Sequence, residues 1–264
     1  MCDEEIVRHA HDEARRFSRR AALRMTAGLA GGTAAAIATG PALAQAAPGT
    51  RVVDLTHVLS PSFPRWPGNP PMVSVQTSRV GSGDRGYATR WVSYPEHSGT
   101  HVDAPAHKIG AGITVERIAA SDLVAPLVVI SIAARAATNR RATLTERDIA
   151  DFEERHGRIP SRSLVALHTG WQPSTGGADA AGFSGGAVDF LVSERNVVAI
   201  GTDTLSIDVK DAVAAHTAIL GAGRYAVEAL AALASVPATG AQVVVGAPRF
   251  AGGTGGPSRV LALA

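Results

Sequence analysis

Runs of apolar, β-branched residues alternate with amphipathic segments over the second half of the chain. The apolar runs predict buried strands at Arg51–Leu55, Leu123–Ile132 (interrupted by Pro126), Ser163–His168, Asn196–Gly201 and Gln242–Gly246. The amphipathic segments predict helices at Thr145–His156, Val188–Glu194, Asp211–Leu220 and Arg224–Ser235. Strands that alternate with helices are typical of an α/β domain, in which helices flank a β-sheet core.

The first 46 residues have a different pattern. Ser18-Arg19-Arg20 precedes an uncharged stretch from Met25 to Thr50, in which Ala, Gly and Thr dominate. The stretch contains two small-x-small sites, which end at Ala44 and Ala46. This order predicts a Tat-type signal peptide over residues 1–46, cleaved after Ala44 or Ala46, and a periplasmic or secreted domain over residues 47–264. A permanent membrane anchor is the alternative, but so few large apolar residues make its insertion marginal.

The amino-acid composition limits the partners and metal ligands that the chain can have. The 264 residues carry 25 Lys+Arg against 23 Asp+Glu, and no basic run lies outside the N-terminal segment, so a nucleic-acid partner is not expected. After signal cleavage no membrane association is expected either. The single cysteine, Cys2, excludes a disulfide framework and a thiolate metal cluster. Any metal site must therefore use His, Asp and Glu.

Three of the nine histidines fall within eleven residues, in the segment His97-Ser-Gly-Thr-His101-Val-Asp103-Ala-Pro-Ala-His107. Its glycine and proline argue against a helix and favour a turn that leads into an extended stretch. In an extended stretch His101, Asp103 and His107 project the same way, and the turn can fold His97 back toward them. Imidazoles and a carboxylate suit Zn²⁺ or Mn²⁺. A hydrogen-bonded polar loop without a metal is the alternative.

A second group of polar residues lies in an otherwise apolar segment toward the C-terminus. His216 and Glu228 are surrounded by Ala, Leu, Ile and Val, and we expect Glu228 to lie in a helix. A buried carboxylate without a partner is costly, so a cation or an arginine should face it. Gly221 and Gly223 are expected to break the helical pattern and let both side chains point at a common site.

The motif His97-x-Gly-Thr-His101-x-Asp103-x-Pro-x-His107 resembles the signature of the cyclase family, which includes kynurenine formamidases (arylformamidases) and isatin hydrolases. Three further stretches resemble the family in the same order, from about Asp54 to Pro248. They are Asp54–Pro61 with Trp66-Pro-Gly68, Gly201–Asp208, and His216–Glu228. The resemblance implies a single α/β domain with a mixed β-sheet core and flanking helices.

The resemblance also implies a metal-dependent hydrolase. When the family's functional positions are matched to this sequence, the implied metal ligands are His97, His101, Asp103, His216 and Glu228, which would hold one or two divalent ions, Zn²⁺ or Mn²⁺. The same match implies that His107 is the proton-transferring residue rather than a ligand. A metal-activated water would then attack the carbonyl of an amide or lactam, with His107 as general acid and base.

Three aromatic residues flank the motifs and are predicted to bind a small, aromatic substrate: Phe63, Trp66 and Trp91. The expected reaction is hydrolysis of a C–N amide bond in a formamide or lactam. A lactone or polyketide-type substrate remains open, as does a non-catalytic exported protein that binds a metal or ligand. The resemblance further implies a homodimer or larger homo-oligomer.

Overall fold

A mixed β-sheet forms the centre of the domain. The computed structural model describes residues 50–81, 86–174 and 176–264. In chain order its strands β1 to β13 are Val52–Asp54, Val73–Ser78, Thr89–Ser93, His101–Asp103, Val124–Ser131, Thr143–Leu144, Leu164–His168, Gly182–Phe183, Ala199–Thr202, Tyr225–Glu228, Ala241–Gly246, Gly255–Pro257 and Arg259–Leu263. Nine of them join in the order β1-β13-β11-β5-β7-β9-β10-β4-β12, and the pairs β2-β3 and β6-β8 form two small separate sheets.

Helices cover the sheet and connect its strands. Within the described residues, α1 to α4 are Ala133–Thr138, Glu146–His156, Gly185–Arg195 and Ala214–Gly221. The described 3₁₀ turns are Pro105–His107, Val115–Arg117, Ala120–Asp122 and Leu233–Ser235. None of the described helices combines the length and apolar character needed to cross a membrane.

The middle of the sheet is parallel and buried on both faces. Strands β5, β7, β9 and β10 pair in parallel, whereas the strands on either side pair antiparallel. Along β7, Leu164 and Ala166 pack into one apolar core, and Val165 and Leu167 pack into the core on the opposite face. Because successive side chains alternate between faces, one apolar run supplies both cores. The α/β prediction with a mixed sheet is thus confirmed for the domain.

Helix α2 shows how local sequence sets an element's boundary. The Thr145 hydroxyl accepts a hydrogen bond from the Asp148 amide, and the Asp148 carboxylate accepts one from the Thr145 amide, which forms a capping box. Ile149 and Phe152 form the buried face of the helix. The predicted helix over Thr145–His156 therefore begins and ends close to the expected residues.

The helix predicted over Arg224–Ser235 is wrong. Tyr225–Glu228 is a strand, and only Leu233–Ser235 forms a single 3₁₀ turn. Strand pairing with β9 on one side and β4 on the other outweighs the helix propensity of this Ala- and Leu-rich run. Ala229 and Ala232 then adopt left-handed φ angles of 51° and 53°, which end regular structure after the strand.

The remaining predicted elements are present with shifted ends. Pro126 is accommodated in β5 because the parallel pairing with β7 begins only at Leu127. The helix predicted over Asp211–Leu220 begins later, at Ala214. The predicted signal peptide and its anchor alternative lie outside the described residues.

Candidate active site

Strand pairing places two carboxylates, those of Glu228 and Asp103, beside the imidazole of His101. His101 on β4 lies directly opposite Glu228 on β10, and His101 Nε2 is 3.4 Å from Glu228 Oε2. Asp103, two residues along β4, projects from the same face, with Oδ1 3.3 Å from His101 Nε2. All three residues are buried. Register and alternation therefore build a compact group from one imidazole and two carboxylates.

A turn brings His97 to the same group. Gly99 adopts a φ of +64°, a left-handed conformation that glycine permits without strain. The chain folds back there, and His97 Nδ1 lies 2.6 Å from Asp103 Oδ1. The expected fold-back of His97 toward Asp103 is thus present in the structure.

Helix α4 contributes His216 from the other side. His216 Nε2 is 3.4 Å from Asp103 Oδ2 and 3.3 Å from Glu228 Oε1. The predicted convergence of His216 and Glu228 is present, although Glu228 lies on a strand instead of the expected helix. Two segments more than one hundred residues apart thus contribute to one cluster of side chains.

His107 occupies the solvent side of the cluster. It ends the 3₁₀ turn Pro105–His107, and its ring centroid lies 3.8 Å from that of His97 and 5.8 Å from that of His216. The extended conformation predicted for this end of the motif is wrong, because Pro105 begins a helical turn. The turn nevertheless directs His107 to the cluster while part of its ring stays accessible.

The carboxylates and imidazoles change one another's protonation. Burial lowers the pKa of His101, but Asp103 and Glu228 outweigh burial and raise that pKa to about 10. Burial raises the pKa of Asp103, but His101 and His97 bring it well below its usual value. His216 has a raised pKa because Asp103, Asp208 and Glu228 outweigh its burial. Positive charge is therefore stabilised at the centre of the cluster.

His107 differs from these histidines. Burial lowers the pKa of its ring below 6.5, and His97 and His216 act in the same direction, against the effect of Asp103. A ring with a lowered pKa is neutral at pH 7, so it is able to accept a proton. His107 thus combines access to solvent with the protonation state that a general base needs.

Two buried polar atoms in the cluster lack hydrogen-bond partners, and a bound cation would satisfy both. Among the described residues, His101 Nε2 and Asp103 Oδ2 are buried side-chain atoms without a hydrogen-bond partner. Buried polar atoms normally have partners, and these two point into a group of nitrogen and carboxylate donors. His101, Asp103 and Glu228 each offer one donor atom within 4.8 Å of the others, as do His97, Asp103 and His107. The donor set fits a divalent cation.

Asp208 contacts the cluster, although sequence reasoning assigned no role to it. Its Oδ2 lies 2.7 Å from His216 Nδ1, and its two oxygens accept the backbone amides of Ala215 and His216. Because the carboxylate accepts the Nδ1 proton, Nε2 is the ring nitrogen of His216 that faces Asp103 and Glu228. The stretch Gly201–Asp208 was a recognisable motif, but its spacing did not show which side chain Asp208 contacts.

The predicted substrate-binding residues lie in three different environments. Phe63 is buried beside His57, with ring centroids 5.6 Å apart, and packs with Trp171. Trp66 and Trp91 are 37% and 36% exposed, and Trp91 lies on β3 in the small β2-β3 sheet. Within the described residues, neither tryptophan has a ring contact with the histidine cluster. Their predicted role stays a prediction.

Comparison with known proteins agrees with this geometry. The family model described as "Putative cyclase" matches residues 53–209. The chain belongs to the cyclase family. This membership confirms the resemblance carried by the His97–His107 motif and the prediction of a metal-dependent amidohydrolase.

Named cyclase-family relatives span almost the whole domain. An isatin hydrolase from Roseibium aggregatum is 30% identical over 80% of this chain and 91% of the relative. A kynurenine formamidase from Salinibacter ruber is 26% identical over 80% of this chain and 96% of the relative. The solved structure of isatin hydrolase A from Ralstonia solanacearum superposes with a TM-score of 0.77 at 33% identity, over 86% of this chain and 99% of that chain.

Proposed function

We propose that this cyclase-family enzyme hydrolyses a C–N amide bond, in a lactam or formamide, of a small aromatic substrate. The observation that carries the proposal is the pair of unpartnered atoms, His101 Nε2 and Asp103 Oδ2, buried beside the partly accessible His107. The similarity to an isatin hydrolase and a kynurenine formamidase supports amide hydrolysis.

The proposed metal ligands are the side chains that meet around Asp103: His97, His101, Asp103, His216 and Glu228. The imidazole and carboxylate donors suit Zn²⁺ or Mn²⁺, as one or two ions per subunit. When bound, such a cation lowers the pKa of a water molecule to about 7 and polarises a carbonyl oxygen. Asp103 lies within ion-pair distance of all three histidines, so its carboxylate would be the central ligand of a bound cation.

His107 is the proposed general base and acid. Its neutral ring accepts a proton as water attacks the carbonyl carbon, and returns that proton to the leaving nitrogen when the C–N bond breaks. The second step needs the protonated ring, which the nearby Asp103 carboxylate favours. One side chain therefore serves both halves of the hydrolysis.

The aromatic residues provide the proposed apolar wall. Phe63, which contacts His57 and packs with Trp171, lines a cavity together with His57 and Pro173, where its ring can supply an apolar contact to a planar substrate. Trp66 and Trp91 each keep about a third of their surface accessible, enough to contact a ligand or a neighbouring subunit. We further propose a homodimer or larger homo-oligomer, as the family resemblance implies.

Export by the Tat route is a separate proposal, supported by the twin arginine at Arg19-Arg20 and the small-x-small sites that end at Ala44 and Ala46. An exported enzyme is placed to open a lactam such as isatin outside the cytoplasm. A formamidase of tryptophan breakdown would instead act in the cytosol. We therefore favour an isatin-type lactam over a formylated amino acid.

A spectroscopic assay tests the proposed function. Protein loaded with Zn²⁺ or Mn²⁺ is mixed with isatin or with N-formylkynurenine, and the ultraviolet spectrum is followed with and without a chelator. We expect ring opening of isatin that the chelator abolishes. Hydrolysis of lactones alone would contradict amide specificity. No turnover on amides, lactams and lactones would favour a binding protein over an enzyme.

A further inference from the structure

A threonine between two glycines lies beside the cluster, in a segment that the sequence motifs did not include. Gly253-Thr254-Gly255 runs next to β4, where Gly255 pairs with Asp103 and the Thr254 carbonyl accepts the Ala104 amide over 2.8 Å. The Thr254 hydroxyl lies 2.9 Å from His97 Nε2. This segment therefore contacts a proposed metal ligand from a position 157 residues away in the chain.

The two glycines leave room for the residues that flank this contact. A Cβ atom on Gly253 would lie 2.7 Å from Glu96 Oε1, and one on Gly255 would lie 2.2 Å from the Val102 carbonyl oxygen and 2.7 Å from His97 Cε1. These distances are too short for ordinary packing, so a larger residue would displace Glu96 at the first position, and the β4 backbone and His97 at the second. The segment is thus fitted to the Glu96-His97 pair.

Hydrogen-bond directions around Thr254 follow from the groups present. Glu96 Oε2 accepts the Thr254 amide at 3.0 Å and the Thr254 hydroxyl at 2.6 Å. An ionised carboxylate only accepts, so the single hydroxyl proton of Thr254 lies toward Glu96. The hydroxyl oxygen is then left as an acceptor for His97, and His97 Nε2 must carry a proton.

We propose that Glu96 and Thr254 are positioning residues that fix the Nε2-protonated form of His97 and so present its Nδ1 atom to the cation. Nδ1 is the atom that faces Asp103, at 2.6 Å, where it donates to the carboxylate; a cation would take the place of that proton, while the Nε2 proton stays directed at Thr254. The other two histidines are held in the opposite sense, because Gly99 O accepts from His101 Nδ1 and Asp208 accepts from His216 Nδ1. Each proposed histidine ligand therefore has an outer acceptor that selects its binding nitrogen.

The inference rests on the proposed function, since it concerns a cation held by His97. Two measurements distinguish a failure of the inference from a failure of the proposed function. The first is long-range ¹H–¹⁵N NMR of the histidine rings in the metal-free full chain. We expect a proton on Nε2 of His97. A neutral His97 with its proton on Nδ1 alone would overturn the inference and leave the proposed function standing.

The second measurement is the affinity for Zn²⁺, by competition with a chromophoric chelator, and for Mn²⁺, by electron paramagnetic resonance. Thr254→Val removes the hydroxyl and keeps the shape, whereas Thr254→Ser keeps the hydroxyl. We expect about 10- to 100-fold weaker binding in T254V and a change below about 3-fold in T254S. Glu96→Gln should weaken binding as well, since an amide can donate to Thr254 Oγ1 and free the hydroxyl proton to point at His97.

Thermal unfolding of each metal-free variant verifies that it is folded. Unchanged affinity in a folded T254V, or an equal loss in T254S, would overturn the inference. Failure of the wild-type chain to bind either cation would instead overturn the proposed metal site, and the presentation of His97 to a cation with it.

Discussion

The carboxylate of Asp208 holds the imidazole of His216 at a distance of 2.7 Å between Oδ2 and Nδ1. The same carboxylate accepts the Ala215 and His216 amides in the first turn of helix α4, so the helix and the ring are fixed together. His216 Nε2 is thereby directed at Asp103 and Glu228. The orientation of a proposed metal ligand thus depends on a residue that does not touch the proposed cation position.

Asp208→Asn should weaken cation binding. Both Asp208 oxygens accept hydrogen bonds, one from the Ala215 amide and the other from His216. The asparagine NH₂ group would replace one of these oxygens and would therefore place a donor against a donor. We expect a loss of about 10- to 100-fold in Zn²⁺ or Mn²⁺ affinity, measured by chelator competition. Asp211→Asn is the matched control, because Asp211 is exposed nearby and should leave the affinity unchanged. Equal affinity in D208N and wild type would contradict the positioning role.

His107→Ala should separate binding from turnover. Loss of a general base typically costs about 10²- to 10⁴-fold in rate, so kcat on isatin should fall by that factor. Metal content, measured by elemental analysis, should stay at the wild-type level. His156→Ala, on the exposed end of α2, is the control histidine. A variant that lost its metal would show that His107 is a ligand.

Glu228→Gln should remove the stabilisation that a cation gives the fold. Cation binding to the folded state alone raises the melting temperature, and the increase grows with the ratio of cation concentration to Kd. We expect Zn²⁺ to raise the melting temperature of the wild-type chain and EDTA to reverse the effect. In E228Q, the added cation should produce a much smaller shift at the same concentration. An identical shift in both proteins would remove Glu228 from the ligand set.

The lowered pKa of Asp148 should make the free energy of unfolding depend on pH. Arg135 and the Thr145 cap lower the pKa of Asp148 to about 2, below its unfolded value near 3.9. A lowered pKa in the folded state stabilises the protein above pH 4, and the contribution is lost as pH falls toward 2. After allowance for solvent screening, Asp148→Asn should lower the free energy of unfolding by about 1 kcal/mol at pH 7.

Urea unfolding at pH 7 and pH 3 tests this prediction. The difference between wild type and D148N should be smaller at pH 3. Asp151→Asn on the same helix is the control, since the Asp151 side chain is exposed and its carboxylate lies 3.9 Å from Arg147 Nε, beyond hydrogen-bond distance. A difference that does not change with pH would rule out ionised Asp148 as its source.

The aromatic wall predicts changes in KM. Phe63→Leu keeps apolar volume and removes the ring, and we expect KM for isatin to rise severalfold with kcat nearly unchanged. Trp66→Ala and Trp91→Ala should act in the same direction if these residues contact the substrate. Steady-state kinetics on the three variants measures the effect. Unchanged KM in all three would place the substrate against other residues.

Sequence alone located the part of the site that is continuous in the chain. His97, His101, Asp103 and His107 lie within eleven residues, so their spacing carried the prediction. Glu228 was correctly grouped with His216 but assigned to a helix, because its Ala- and Leu-rich surroundings carry no alternating pattern. Its strand conformation depends on β4, whose residues lie more than one hundred positions earlier.

The outer contacts could not be predicted for the same reason. Asp208 and Thr254 act through single hydrogen bonds to histidines, and one of these spans 157 residues. A lone carboxylate or hydroxyl carries no periodic signal, and its partner is defined only when the sheet has assembled. Sheet formation therefore determines these contacts.

The cross-strand pairing of His101 with Glu228 makes the site intolerant of length changes. Deleting one residue from Tyr225–Glu228 would turn the carboxylate to the opposite side of the sheet, into aliphatic surroundings. Inserting two residues would keep the carboxylate on the same side but displace it along the strand by about 7 Å. An insertion or deletion within this strand would therefore separate Glu228 from the proposed metal ligands even where the domain still folds.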